Sequence, residues 1–260
     1  MQATQAQSNG FVSWLGIVWL NAWFWVLFAL ITILLAVVSG IYWLLFDVLF
    51  PKGPRARWLI RRIIRWYGST VLLAGWPLIR VRFVDLRPEE QPPFIYTANH
   101  RSACDAFLAV SLNADAVQML NIWPSRLPLV NYLSKTSDYI RVREIPFEQV
   151  LSIGARLWSD GVSIIAFPEG TRSRTLQIGP FHGSAFRLAH HVQGRICPVA
   201  ISGSEDKPRR GSWIMHPGKI VITKLPSLPY EQYKDLTAFA VKNRVRKTIE
   251  EYLEQQAQKA

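Results

Sequence analysis

Phe94-Ile95-Tyr96-Thr97-Ala98-Asn99-His100-Arg101-Ser102-Ala103-Cys104-Asp105 runs from an apolar, β-prone segment into a polar turn, and apolar residues at helical spacing follow over 106–112. That is the pattern of a short buried strand, a turn and a helix. His100 falls where the strand ends, and in open α/β sheets ligands bind at that place. Ser102 suits a helix N-cap, and Asp105, three residues later, stands where a capping-box acid would. A histidine just before the cap, with an aspartate in the first turn, also has the makings of a general base and the carboxylate that orients it. The spacing His-x4-Asp is weak by itself, because a loop histidine and a plain capping aspartate satisfy it equally well.

A second segment changes that balance. Ser163-Ile164-Ile165-Ala166-Phe167 is another short buried strand, and it leads into Pro168-Glu169-Gly170-Thr171-Arg172-Ser173-Arg174. Two polar turns at two strand ends argue for catalysis over capping. The second turn suits a phosphate. Arg172 carries a planar fork of donors, and Gly170 and Thr171 can present backbone amides in a tight turn. Ser102 and Cys104 are the nucleophiles nearest His100, and they read better as a cap and a small helix residue. Arg174 and His182 add positive charge nearby, without an assigned role.

Asn99-His100-x4-Asp105 followed by Phe167-Pro168-Glu169-Gly170-Thr171-Arg172-Ser173 resembles the glycerolipid acyltransferases, most closely the 1-acyl-sn-glycerol-3-phosphate acyltransferases. Tyr139-Ile140-Arg141-Val142-Arg143 and Ile196-Cys197-Pro198-Val199 are counterparts of two weaker family blocks. The former departs from the pattern, with basic Arg141 nearby where an acidic residue is common just before the arginine. The resemblance covers roughly residues 55–225. It implies an α/β fold, with a mainly parallel central sheet flanked by helices. It also implies a membrane enzyme of phospholipid biosynthesis. Such an enzyme moves a fatty acyl group from a thioester, acyl-CoA or acyl-carrier protein, to the sn-2 hydroxyl of 1-acyl-glycerol 3-phosphate (lysophosphatidic acid), giving phosphatidic acid. The alternative is the same chemistry on another acceptor, glycerol 3-phosphate or another lysolipid.

In that reading His100 is the base and Asp105 fixes its tautomer, while the substrate hydroxyl attacks directly. The resemblance places Glu169 and Gly170 at the glycerol phosphate and gives Arg143 a phosphate contact. Thr171 and Arg172 complete the substrate-binding set. The thioester is the co-substrate and no further cofactor is expected. No spacing supports a metal site. A hydrolase using the same pair on water, and a non-catalytic membrane module, are the rivals from other classes. The module has no need of the His100–Asp105 pairing.

Composition sets the context. The chain has 260 residues, half of them apolar, with 11 Trp and a formal charge of +12. One acid, Asp47, is the sole charge in the first 50 residues, so the remainder carries +13. A basic body behind an apolar head points to an anionic membrane surface or phosphorylated substrates, and nucleic acid, the other partner of a basic protein, finds no motif here. Cys104 and Cys197 form no disulfide framework or metal spacing, which suits a reducing cytosolic face.

Four regions are expected: a polar, disordered tail over 1–10, an apolar membrane anchor over 11–50 interrupted by Asn21, a basic amphipathic interfacial helix over 51–77, and the acyltransferase domain over 78–260. The anchor allows one long tilted helix or a hairpin entering one leaflet, since about 20 apolar residues already span a bilayer core. Between residues 52 and 82 there are eight Lys or Arg and no acid. That flank places the domain on the cytosolic face, of the inner membrane if the cell is bacterial. Arg55, Arg61, Arg62 and Arg65 fall on one arc of the second helix, fit for a membrane interface or for a solvated face. Strands are expected at 78–84, 117–120, 139–142, 195–201 and 219–223, a loop at 121–129, and helices at 146–159, 181–192 and 236–256.

Overall fold

The computed structural model describes residues 2–49, 53–112, 115–121, 128–173, 177–209 and 211–259. In chain order the elements are helices α1 (Gln2–Tyr42) and α2 (Pro54–Leu73), strands β1 (Ile79–Asp85) and β2 (Ile95–Ala98), and helix α3 (Asp105–Val110). Then come β3 (Ala116–Leu120), α4 (Pro128–Thr136), β4 (Ile140–Arg141), α5 (Phe147–Ser159) and β5 (Ser163–Ala166). The chain closes with α6 (Ser184–His191), β6 (Ile196–Ser202), β7 (Gly218–Lys224) and α7 (Ala238–Gln258).

The strands form one sheet in the order β1-β7-β6-β2-β5-β3-β4. β6, β2, β5, β3 and β4 run parallel, β7 is antiparallel to β6, and β1 is parallel to β7. The central strands β2 and β5 are buried along their whole length, as strands covered on both faces must be, and so read as unbroken apolar runs. Helices cover both faces. On one, Val150, Leu157, Leu188, Val245 and Ile249 join a core with Ile95, Ile164 and Ile196. On the other, Val71, Ala74, Leu108 and Ala109 pack with Tyr96, Ile165, Val199 and Ile222.

β2 and β5 are neighbours in register, Thr97 beside Ala166. The two polar turns therefore emerge side by side at the carboxyl edge of the sheet. β6 lies on the other side of β2 and ends at the same edge.

α1 is one continuous helix that passes into a π-helical segment, Trp43–Leu49. It is the long-helix alternative among the anchor geometries. Its start at Gln2 carries the polar tail into the helix, where disorder was expected. Ala and Gln have good helix propensity, and a helix already nucleated extends at little cost. The segment from Trp14 to Phe46 is apolar enough to cross a membrane and is mostly uncovered. α2 starts with Gly53 at its N-cap and Pro54 in the first turn, where a missing N–H costs nothing. Arg61 departs from the exposed basic arc. It is buried, and its guanidinium grips Asp115 through Nε and Nη2. α4 has no counterpart in the sequence reading, and most of the loop expected at 121–129 lies outside the described residues.

Candidate active site

The polar turn after β2 is built by three side chains that bond to backbone. Asn99, wholly buried, ends the strand by copying a ladder pair with β6: its Nδ2 donates to Ile201 O (2.9 Å) and its Oδ1 accepts from Ile201 N (2.8 Å). Asp105 is also wholly buried. Its Oδ2 accepts the N–H groups of Arg101 (2.6 Å) and Ser102 (2.7 Å) and lies 3.0 Å from His100 Nδ1. The same oxygen thus closes the turn and faces the imidazole, so the roles of cap and orienter coincide. Ser102 is not the N-cap, which falls at Cys104. Its hydroxyl instead donates to Lys207 O (2.8 Å), across the loop that follows β6.

The second turn holds His100 from the other side. Glu169 is buried, and its two oxygens are spent on main chain: Oε1 accepts from His100 N (2.7 Å) and Oε2 from Gly179 N (2.9 Å). Burial raises its pKa, opposed by those two N–H groups and by the charges of His100 and Arg101. Ser173 N in turn donates to His100 O (2.8 Å). Both sides of the His100 peptide unit are therefore fastened to the second motif. The imidazole lies 4.5 Å from the Phe167 ring, tilted by 32°. With Nδ1 against Asp105, Nε2 is the nitrogen left for a substrate.

His100 lines a cleft of about 320 Å³. Its floor and walls are mostly apolar: Ala106, Met119, Leu120, Val142, Phe167 and Ala185. The polar groups on it are Gln118, Asn121, Arg143, His182 and Ser184. Gly170 also faces it at φ +69°, which favours glycine, and a side chain there would meet the His182 ring. Asn121 Nδ2 donates to Gly170 O (2.7 Å) and His182 N to Pro168 O (2.7 Å), so β3 and the segment before α6 brace the second turn.

Of the residues singled out by sequence, the cleft gathers His100, Arg143, Gly170 and His182 on its lining, with Asp105 behind His100. Arg143 is exposed there and makes no ion pair among the described residues. Glu169 lies beneath the turn, Thr171 is exposed and Arg172 half-buried, and none of the three is on the lining. Arg174 lies outside the described residues. Cys104 is buried in apolar surroundings that push its thiol pKa up, and Cys197 is pushed up to about 12, so neither is a ready nucleophile. Asn121 and Gln118 carry no sequence pattern of their own. Only their neighbours across the sheet make them part of the site.

A family model described as Acyltransferase matches residues 79–202. A 1-acyl-sn-glycerol-3-phosphate acyltransferase of Limnanthes douglasii is 27% identical over 64% of this chain and 68% of its own. The chloroplastic 1-acyl-sn-glycerol-3-phosphate acyltransferase BAT2 of Brassica napus is 23% identical, over 85% of this chain and 63% of its own. The alpha form of that enzyme from Ovis aries is 26% identical, over 66% and 61%. The chain thus spans roughly two thirds of these relatives. The crystal structure of the 1-acyl-sn-glycerophosphate (LPA) acyltransferase PlsC from Thermotoga maritima matches with a TM-score of 0.73 over 94% of this chain and 97% of that one. Its 20% identity speaks for the fold.

Proposed function

Residues 79–202 match the Acyltransferase family model, and from that likeness we propose that the chain acylates the free hydroxyl of a lysophosphatidic acid, drawing the acyl group from a thioester at a membrane surface. The observation that carries the reading is the His100–Asp105 pair, 3.0 Å apart, on a cleft that Arg143 also lines, an arginine with no ion pair among the described residues.

The chemistry needs a proton removed from an alcohol while its oxygen attacks a carbonyl. Neutral His100, held with its Nδ1 proton on Asp105, takes the hydroxyl proton at Nε2. The new C–O bond forms and the C–S bond breaks. The departing thiolate takes the proton back, and His100 returns to neutral. Asp105 stabilises the imidazolium in between. No enzyme nucleophile is needed. The guanidinium of Arg143, to which the resemblance gives a phosphate contact, and that of Arg172 on the second turn each offer the phosphate a planar fork of donors. The apolar walls suit the acyl chains. Names of the relatives support the acceptor, and the uncovered face of α1 with the basic flank after it supports a membrane seat with the domain on the cytosolic side. Acyl-CoA and acyl-carrier protein both fit as donors.

The test is an assay of the purified protein with an acyl thioester and a panel of acceptors, phosphorylated and not, with products identified by mass. Phosphatidic acid from lysophosphatidic acid is expected. Thiol release at full rate with no acceptor present would make the protein a hydrolase instead.

A further inference from the structure

The loop of residues 203–217, between β6 and β7, is fastened at both limbs to parts of the molecule with different jobs. Its first limb holds the catalytic turn: Glu205 pairs with Arg101, and Lys207 O accepts from the Ser102 hydroxyl. Its second limb holds α1. Asn21, the amide side chain within the apolar run, makes a two-way bond to Met215, with Nδ2 donating to Met215 O (2.9 Å) and Oδ1 accepting from Met215 N (2.8 Å), and Nδ2 also donates to Ile17 O (2.7 Å) in its own helix. Trp25 Nε1 donates to Trp213 O (3.0 Å) and the two indoles meet edge to face. A polar side chain in an apolar stretch of helix is costly in lipid unless it is bonded, and here two of the three bonds come from this loop.

The tip of that loop is apolar and uncovered. Trp213 is 76% exposed and Ile214 52%, next to exposed Arg209. They continue a larger apolar surface, since α1 beside them is uncovered along its outer face. β7 starts next to β1, Ile79 beside Gly218, so exposed Leu73 and Trp76 lie at the same corner of the sheet. A tryptophan and an isoleucine beside a basic residue make the composition of an interfacial contact with anionic lipid.

We propose that loop 203–217 is a second lipid-surface contact, in which Trp213 and Ile214 seat in the headgroup layer beside α1 and the loop transmits that seating to the catalytic turn through Lys207 and Glu205. This rests on the reading of the protein as a membrane acyltransferase. Trp213 and Ile214 act by positioning and touch no reacting atom.

Two measurements test it. Cys104 and Cys197 are buried, so a Trp213→Cys variant of the full chain accepts an environment-sensitive fluorophore at that position. On phosphatidylcholine–phosphatidylglycerol vesicles the label should be quenched by doxyl-labelled lipid chains and shielded from aqueous iodide. Secondly, Trp213→Ser with Ile214→Ser, and separately Asn21→Leu, should leave vesicle association intact because α1 remains. Each should raise the KM for vesicle-embedded acceptor by about five- to tenfold, the size of one partly buried apolar side chain returned to water. Activity on a water-soluble short-chain acceptor should stay unchanged. A label open to iodide on vesicles, or an unchanged KM in both variants, overturns the proposal. Shielding from both quenchers overturns it as well, and points to a second protein copy on the loop. If the label is quenched by lipid but no acceptor is acylated, the contact stands and the proposed function fails.

Discussion

His100 does its work under constraint from Asp105, Glu169 and Ser173, and each constraint has a measurable consequence. Replacing His100 by Ala should lower turnover by about 10²–10⁴-fold, the usual worth of a general base, with vesicle association unchanged. Asp105→Asn should cost less than that but well over a tenth of the activity. The amide can still accept from Arg101 and Ser102, yet it no longer stabilises an imidazolium. Full activity with reduced thermal stability would reduce Asp105 to a cap. For the phosphate, Arg143→Ala should raise the acceptor KM by about 10- to 150-fold, matching a charge-assisted bond of about 1.5–3 kcal/mol, with the donor KM nearly constant. The same measurement on Arg172→Ala shows which arginine carries the contact, and a rise in donor KM alone would assign the residue to the thioester's carrier. Glu169 titrates in a predictable direction. Burial raises its pKa, so the folded protein binds that proton more tightly than the unfolded chain does. This group therefore adds stability below its unfolded pKa and loses it as pH rises through the folded one. Glu169→Gln should flatten that part of the stability curve in urea unfolding followed from acidic to neutral pH. It should also lower kcat more than it changes KM, since both carboxylate oxygens are spent on main chain.

Among the elements, α2 and α3 show how the face of the sheet that α2 covers bears on the site. Gly68 of α2 packs against α3 so closely that a Cβ there would come within 2.4 Å of Val110 Cγ2. Gly68→Ala should cost about 1–3 kcal/mol, as overpacking does, and should perturb the helix that carries Asp105. Pairing it with Val110→Ala should restore much of the thermal stability; no recovery would mean the strain lies elsewhere. This contact was invisible in the sequence, because a glycine within a helical pattern says only that propensity is sacrificed. The strands were far more legible. Runs such as Ser163-Ile164-Ile165-Ala166 are buried on both faces, and their continuous apolarity has few other readings. Arg61 was misplaced for the opposite reason: helical periodicity puts it on the charged arc, and only Asp115, far along the chain, explains its burial. α4 went unread because Pro128-Leu129-Val130-Asn131 follows a proline-rich segment that reads as loop.

At the scale of the whole molecule, the α/β character of the body was legible, since short apolar runs alternate with helical patterns along the chain. The order of the strands was not, and it is the order that makes a site. β2 and β5 are adjacent while β3 and β4 lie beyond them, so two motifs 69 residues apart meet in one peptide. The His100 amide is consequently a clock for the opening of the entire molecule. Its hydrogen is bonded to a buried carboxylate from another strand end, outside any ladder, and it exchanges with solvent only when the β2 and β5 ends part. In deuterium exchange its protection should approach that of the central strand amides and exceed that of exposed Thr171 in the second turn. Glu169→Ala, which removes both acceptor oxygens, should erase that protection selectively, leaving the amide of Ile95, which bonds to Arg195 O, as slow as before. A His100 amide that exchanges as quickly as the turn would mean that the two halves of the site separate freely while the sheet stays closed.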